Sequence, residues 1–286
     1  MDNRAIGYLD SGIGGLSVVK QALKQLPNEQ VYYIGDTARM PYGPRTPEEV
    51  KKFTWQLVDF LMEQDIKLLV IACNTATAAA LDDLTKQLPI PVVGVIQPGI
   101  DAASKATSIN NIGIAATQGT VNSLAYYNGL KKINRNFHIL QLAAPTLVKI
   151  AEQPPKDDAT VQRLVTNILS PIKNSDVDTL VLGCTHFPLL AKFIQEAVGE
   201  QVKLVDAGAS AVNVVEQTLD NFAIKHENDN RQIKHENDNR QIRNTDKYFT
   251  TGDPETFDQL AKNWLQISSL SVQHVDILDG KLITVE

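Results

Sequence analysis

The chain has 286 residues, 43% of them hydrophobic and 21% charged, an ordinary globular composition with length enough for two compact lobes whose cores need neither disulfides nor metal. Its 27 Lys and Arg stand against 33 Asp and Glu, a net charge of −6, and no stretch gathers the basic residues into a patch, which argues against nucleic acid as a partner. No apolar run approaches the length of a membrane span, Met1-Asp2-Asn3-Arg4 runs into a strand without an apolar leader, and the two cysteines form no disulfide framework, so the expected location is cytoplasmic.

In chain order, strands are expected at residues 5–10, 30–35, 67–72, 91–96, 111–116, 137–142, 178–183 and 202–206. Between them lie amphipathic stretches, among them Ser17 to Leu26, Thr46 to Gln64 and Pro188 to Val198, with apolar residues every three or four positions. Thr46-Pro47-Glu48-Glu49 is a helix start, with Thr at the N-cap, Pro at the first helical position and an acid at the third. Alternating strand and helix predicts an α/β protein with parallel sheets, which bind ligands at the carboxyl ends of their strands.

The two cysteines occupy two such ends. Cys73 closes the run Lys67 to Ala72 and Cys184 closes Thr179 to Gly183, each followed at once by small polar residues. Other segments recur in the same order: Ile6 to Gly12 is echoed from Ile112 to Gln118, and Pro91 to Gly99 resembles Val202 to Gly208. Recurrence at nearly one interval suggests an internal duplication, hence two pseudosymmetric lobes, each a mainly parallel sheet flanked by helices, with the active site in the cleft between them. The crossings fall at Gln97-Pro98-Gly99 and Asp206-Ala207-Gly208, giving a discontinuous first lobe of residues 1–97 plus 209–286 and a second of residues 98–208.

A second, exact duplication is of another kind. Residues Ile224 to Gln232 are repeated without a gap from Ile233 to Gln241. Nine residues make about two and a half helical turns, so equivalent residues of one continuous helix would point to opposite sides, and a tandem duplication tolerated at the surface is expected.

One thiol on each side of a cleft allows proton removal from one face of a substrate carbon and proton return to the other, the requirement of a racemase or epimerase that uses no cofactor. Covalent catalysis by a Cys184–His186 pair competes with that reading but leaves Cys73 without work. Cys184-x-His186 is only half a metal site, so no metal is expected. Asp10, Glu152 and His186 could orient or protonate a thiol or the substrate, although Asp10 could instead cap a helix, Glu152 could be solvated and His186 could be packed in a core. Ser11, Asn74, Thr75, Thr117, Thr120 and Thr185 offer small donors suited to carboxylates, and Pro41-Tyr42-Gly43 would present backbone N–H groups in a turn.

Asp10-Ser11-Gly12 with Gly14-Gly15-Leu16, Pro41-Tyr42-Gly43, Ala72-Cys73-Asn74-Thr75, Gly183-Cys184-Thr185-His186 and Thr251-Gly252-Asp253-Pro254 together closely resemble the bacterial glutamate racemases of the aspartate/glutamate racemase family, from about residue 5 to 266. The resemblance implies cofactor-independent racemisation of L-glutamate to D-glutamate for peptidoglycan, with Cys73 acting on the D-enantiomer assisted by Asp10, and Cys184 on the L-enantiomer assisted by Glu152 and His186. It further implies substrate contacts from Asp10, Ser11, Pro41, Tyr42, Gly43, Cys73, Asn74, Thr75, Thr117, Thr120, Cys184, Thr185 and His186, and the homodimer common in the family. Two departures are visible: Ala144 stands before Pro145 where many members carry another cysteine, and the doubled segment fits no family pattern. An aspartate racemase is the alternative enzyme, and a non-catalytic amino-acid-binding protein the alternative from another class, though mere binding needs neither thiol.

Overall fold

The computed structural model describes residues 1–153, 155–227, 245–267 and 270–284. The chain opens with β1 (Ile6–Asp10), α1 (Leu16–Gln25), β2 (Val31–Gly35), α2 (Pro47–Glu63), β3 (Leu68–Ile71), α3 (Asn74–Gln87) and β4 (Val92–Gly94). It continues through α4 (Ile96–Ala106), β5 (Asn111–Ala116), α5 (Gln118–Asn122), α6 (Ala125–Ile133), β6 (His138–Ala143), α7 (Pro145–Glu152), α8 (Asp158–Ile168), α9 (Ser170–Lys173) and β7 (Thr179–Gly183). A 3₁₀ turn (Phe187–Leu190) then leads to α10 (Ala191–Val198), β8 (Lys203–Asp206), α11 (Ala207–Asn221), β9 (Lys247–Thr250), α12 (Pro254–Leu265), β10 (Val272–Leu278) and β11 (Lys281–Thr284).

These strands form two sheets. The first has the order β11-β10-β9-β2-β1-β3-β4, parallel except for the β10–β11 hairpin, and the second, β6-β5-β7-β8, is wholly parallel. The run β2-β1-β3-β4 has the same order as β6-β5-β7-β8, so β1 matches β5, β2 matches β6, β3 matches β7 and β4 matches β8. Pseudosymmetry is thus a property of the topology, and Cys73 after β3 and Cys184 after β7 occupy equivalent points.

The strands are apolar on both faces because both faces are covered. Along β3, Leu68 and Val70 face α1, α11 and α12, while Leu69 and Ile71 face α2 and α3. In the second sheet, Leu180 and Leu182 pack with α7, α8 and α10, and Val181 packs with α4 and α6. α2 begins as the sequence predicts: the Thr46 side chain accepts from the Glu49 backbone N–H and the Glu49 carboxylate accepts from the Thr46 N–H, a reciprocal capping box with Pro47 in the first turn.

All eight expected strands are present. The stretch from Pro188 to Val198 is not one helix, since its first residues belong to the 3₁₀ turn before α10 starts at Ala191. Gln97-Pro98-Gly99 lies in the first turn of α4 and Ala207 opens α11, so the connections between the sheets are packed helices, and α4 and α11 lie against each other. Of the doubled segment, Ile224 to Glu227 are described, and the second copy lies outside the described residues. Among the described residues, no helix is long and apolar enough to cross a membrane.

Candidate active site

Strand register builds the site. Asp10 pairs with Gly35, Leu9 pairs with Ile71, and the Ala72 N–H donates to the Leu9 carbonyl, so the residues following β1, β2 and β3 emerge side by side at one sheet edge. Ala116 pairs with both Gly183 and Ala143, which brings Thr117, Ala144 and Cys184 together at the matching edge of the second sheet. A cleft of about 400 Å³, open solvent at its mouth included, is lined from both edges, with Ser11, Cys73, Asn74 and Thr75 on one side and Thr117, Glu152, Cys184, Thr185 and His186 on the other. Pro41, Tyr42 and Gly43 complete the lining, as do Gly12, Met40 and Val148.

Both cysteines are free and buried. Cys73 is the N-cap of α3: its sulfur accepts from the Ala76 N–H at 3.5 Å, and the thiol donates to Ser11 Oγ at 3.7 Å. Burial, and secondarily the Asp10 carboxylate, pushes the Cys73 pKa up to about 12 against the opposing pull of those two hydrogen bonds, so the resting group is a thiol. Cys184 Sγ lies 3.7 Å from His186 Nδ1, and His186 Nε2 lies 2.8 Å from Glu152 Oε1. Burial opposes charging this imidazole, yet the hydrogen bonds to Cys184 and Glu152 outweigh it and push the His186 pKa up to about 10. The group is therefore an imidazolium that donates to the cysteine sulfur on one side and to the carboxylate on the other. Trp264 of α12 meets the His186 ring edge to face, with centroids 5.6 Å apart.

Two expected site residues stand behind the lining. Asp10 is fully buried, its Oδ2 accepting from the Gly12 and Gly15 N–H groups at 3.1 and 3.0 Å, with Thr185 Oγ1 donating to Oδ1 at 3.5 Å. It thus both ties down the loop entering α1 and reaches the residue after Cys184. Thr120 is likewise buried and closes a triangle of hydroxyls with Thr75 and Thr117, the three Oγ1 separations being 2.9, 3.3 and 3.1 Å. Gly14 allows the close approach of the two halves: a Cβ there would stand 2.4 Å from Thr185 Oγ1 and 2.5 Å from His186 Nδ1.

Three contributors escape sequence reasoning. Asp36, fully buried after β2, accepts from Arg39 Nε at 2.8 Å, from Thr251 Oγ1 at 2.7 Å and from the Tyr42 hydroxyl, and so anchors the Pro41-Tyr42-Gly43 loop. That loop is tied to the second sheet by the Gly119 N–H, which donates to the Gly43 carbonyl at 2.9 Å. Tyr126 of α6 donates to Asn74 Oδ1 at 2.8 Å, and Met40 contributes apolar lining. Asp36 was visible in the sequence as the polar residue that ends a strand, a signal shared with Asp10; Tyr126 and Met40 carried none. Among the described residues, no group of three or more His, Cys, Asp or Glu could hold a metal ion.

Residues 11–215 match the Asp/Glu/Hydantoin racemase family. The chain belongs to that family. It is 48% identical over 276 residues to the glutamate racemase of Lactiplantibacillus plantarum, covering 96% of this chain and 97% of that one. It is 46% identical over 279 residues to that of Carnobacterium sp., covering 97% and 100%. The solved glutamate racemase isoform RacE1 of Bacillus anthracis superposes with a TM-score of 0.88 at 38% identity, covering 97% and 99% of the two chains. The Francisella tularensis glutamate racemase, solved in complex with D-glutamate, gives 0.83 at 31% identity, covering 96% and 98%. An aspartate racemase of Picrophilus torridus, at 16% identity and a TM-score of 0.55, shares the fold alone.

Proposed function

We propose that the protein racemises glutamate without a cofactor by a two-base mechanism, Cys73 and Cys184 serving opposite faces of the substrate α-carbon, and that it supplies D-glutamate for peptidoglycan in the cytoplasm. The observation that carries the reading is the pair of free thiols at equivalent strand ends of two sheets with the same strand order, both lining one cleft. The lobes are residues 1–97 with 209–286, and residues 98–208.

In the direction from L- to D-glutamate, Cys184, beside the His186 imidazolium, takes the α-proton, and Cys73, held as a thiol, gives its proton to the opposite face. One turnover leaves Cys184 protonated and Cys73 ionised, the state that D-glutamate requires for the reverse step. Asp10 and Ser11 adjoin the first thiol, and Glu152 and His186 adjoin the second. Among the described residues no Lys or Arg lines the cleft, so the substrate carboxylates fall to hydroxyls, the Asn74 amide and backbone N–H groups.

Cys73→Ala and Cys184→Ala are each expected to abolish racemisation while keeping the fold. In deuterated water, Cys184→Ala should still exchange the α-hydrogen of D-glutamate slowly without inversion, and Cys73→Ala that of L-glutamate, as read by proton NMR. Substantial racemisation by either alanine variant would sink the two-thiol mechanism. Relative turnover of glutamate and aspartate by the unmodified enzyme decides the substrate.

A further inference from the structure

Tyr126 crosses from the second sheet's helices to a cleft residue of the first. Its ring is fully buried among Ile96, Ile100, Ala103, Leu130 and Ala207, in space kept open by glycines: a Cβ on Gly99 would stand 3.0 Å from its hydroxyl, and one on Gly183 3.4 Å from its ring. The hydroxyl donates to Asn74 Oδ1 at 2.8 Å. Burial, then the Asp206 and Cys184 charges, hold the phenol well above its ordinary range, so it remains a donor throughout the working pH range.

An asparagine amide offers an acceptor and two donors of nearly identical shape, and only its partners decide which end faces a ligand. Here the oxygen accepts the phenol O–H, and turning the amide over would leave that buried proton without its acceptor; since Asn74 lines the cleft, the planar amide directs Nδ2–H₂ away from Tyr126. The arrangement has a pseudosymmetric counterpart. The residue after Cys184, Thr185, is also paired across the lobes, with Asp10. In each half, the residue following the cysteine is thus oriented by a buried side chain from the other half.

We propose that Tyr126 is a positioning residue for substrate recognition: it fixes the Asn74 amide with its NH₂ toward a carboxylate of the substrate. The proposal rests on the reading of the cleft as a glutamate site. Without the phenol, the amide is free to turn its oxygen to the cleft, where it repels a carboxylate and leaves one donor fewer.

The test is a double-mutant cycle of Tyr126→Phe and Asn74→Ala, with KM and kcat measured for both glutamate enantiomers and thermal unfolding followed in parallel. Tyr126→Phe keeps the ring and its packing. It is expected to raise KM by about tenfold in the otherwise unchanged enzyme, with kcat within about twofold. In the Asn74→Ala background, it should leave KM unaltered while still lowering the melting temperature. A purely structural tyrosine would instead act equally in both backgrounds. An unchanged KM, an equal rise in both backgrounds, or a loss confined to kcat overturns the proposal. If the unmodified enzyme does not turn over glutamate, the reading of the cleft itself has failed, an outcome distinct from any of these.

Discussion

At the scale of single residues, the two halves of the site are held together by contacts with little tolerance. Gly14→Ala places a methyl group inside hydrogen-bonding distance of both Thr185 and His186. Those two must move, and catalytic groups displaced by about 1 Å can lose on the order of 100-fold in rate. The variant is therefore expected to fold, at a cost of about 1–3 kcal/mol, and to lose at least tenfold in kcat; steady-state kinetics with wild-type turnover would show that His186 is not held where the rate needs it. His186 also makes a prediction about pH. Its folded pKa, near 10, lies above the ordinary histidine value of about 6.5, so the folded state binds the extra proton between those limits. That stabilisation is complete below about pH 6.5 and is lost as pH rises through about 10. Cys73 acts in the same direction in a higher window, from its ordinary 9.0 to about 12, because the folded state keeps a proton that the unfolded chain gives up. Melting temperatures of wild type and His186→Gln from pH 6 to 10 should converge as pH rises, and parallel curves would refute the imidazolium. The cysteines and most of the polar lining were legible in the sequence because each ends a run of strand residues. Tyr126 was not: it adjoins Tyr127 in α6, and only the packing of that helix buries the first and leaves the second exposed.

At the scale of elements, the first eight strands were legible because buried parallel strands read as continuous apolar runs. β9 to β11 were missed for physical reasons: β9 has four residues and begins with a lysine, and β10 interleaves polar residues because it lies toward the sheet edge. One signal there was available. Asp279-Gly280 joins β10 to β11 with both residues at positive φ, 49° and 79°, the backbone an Asp-Gly hairpin turn adopts. The doubled segment is argued from its docked start. Lys67 Nζ, paired with Glu29 at 2.6 Å, donates to the Ile224 carbonyl; Glu29 accepts from the His226 N–H, Asn3 from the Glu227 N–H, and the Asp2 N–H donates to the Lys225 carbonyl. All four contacts fall on the segment's backbone, within the first four residues of a copy. Deleting Ile233 to Gln241 leaves the same sequence as deleting the first copy, and the single remaining Ile-Lys-His-Glu can make every one of these bonds. The deletion variant should keep kcat within about twofold and stability within about 1 kcal/mol, since shortening a surface connection changes closure entropy little. A still-folded variant with collapsed turnover would show that the second copy serves the site.

At the scale of the whole molecule, the internal repeat proposed from three short segments is matched by the strand order, and it explains how a chain with only two cysteines brings both to one cleft. What the sequence did not show was how the halves are joined. Besides α4 and α11, the lobes meet through bonds among cleft residues themselves: Gly119 to Gly43, Thr75 to Thr117, Tyr126 to Asn74 and Thr185 to Asp10. Asp10, Thr117 and Thr185 thus hold the lobes together at the proposed site, which is why that site could not be read as a simple row of ligands. A substrate bound across this junction touches both lobes and should stabilise the whole chain. At a concentration of 100 times Kd, the expected gain is about 2.7 kcal/mol, seen as a rise of several degrees in the melting temperature. The same geometry predicts the response to reagents. The two thiols lie in one cleft, and on the proposed mechanism they supply acid and base by themselves, so iodoacetamide should inactivate the enzyme, and saturating glutamate should slow that inactivation by about the factor by which it empties the free form. Exhaustive chelation and hydroxylamine, which traps carbonyl cofactors, should leave turnover unchanged. Activity lost on chelation and restored by one metal would require a metal in the mechanism, and alkylation at an unchanged rate under saturating glutamate would separate the thiols from the substrate site.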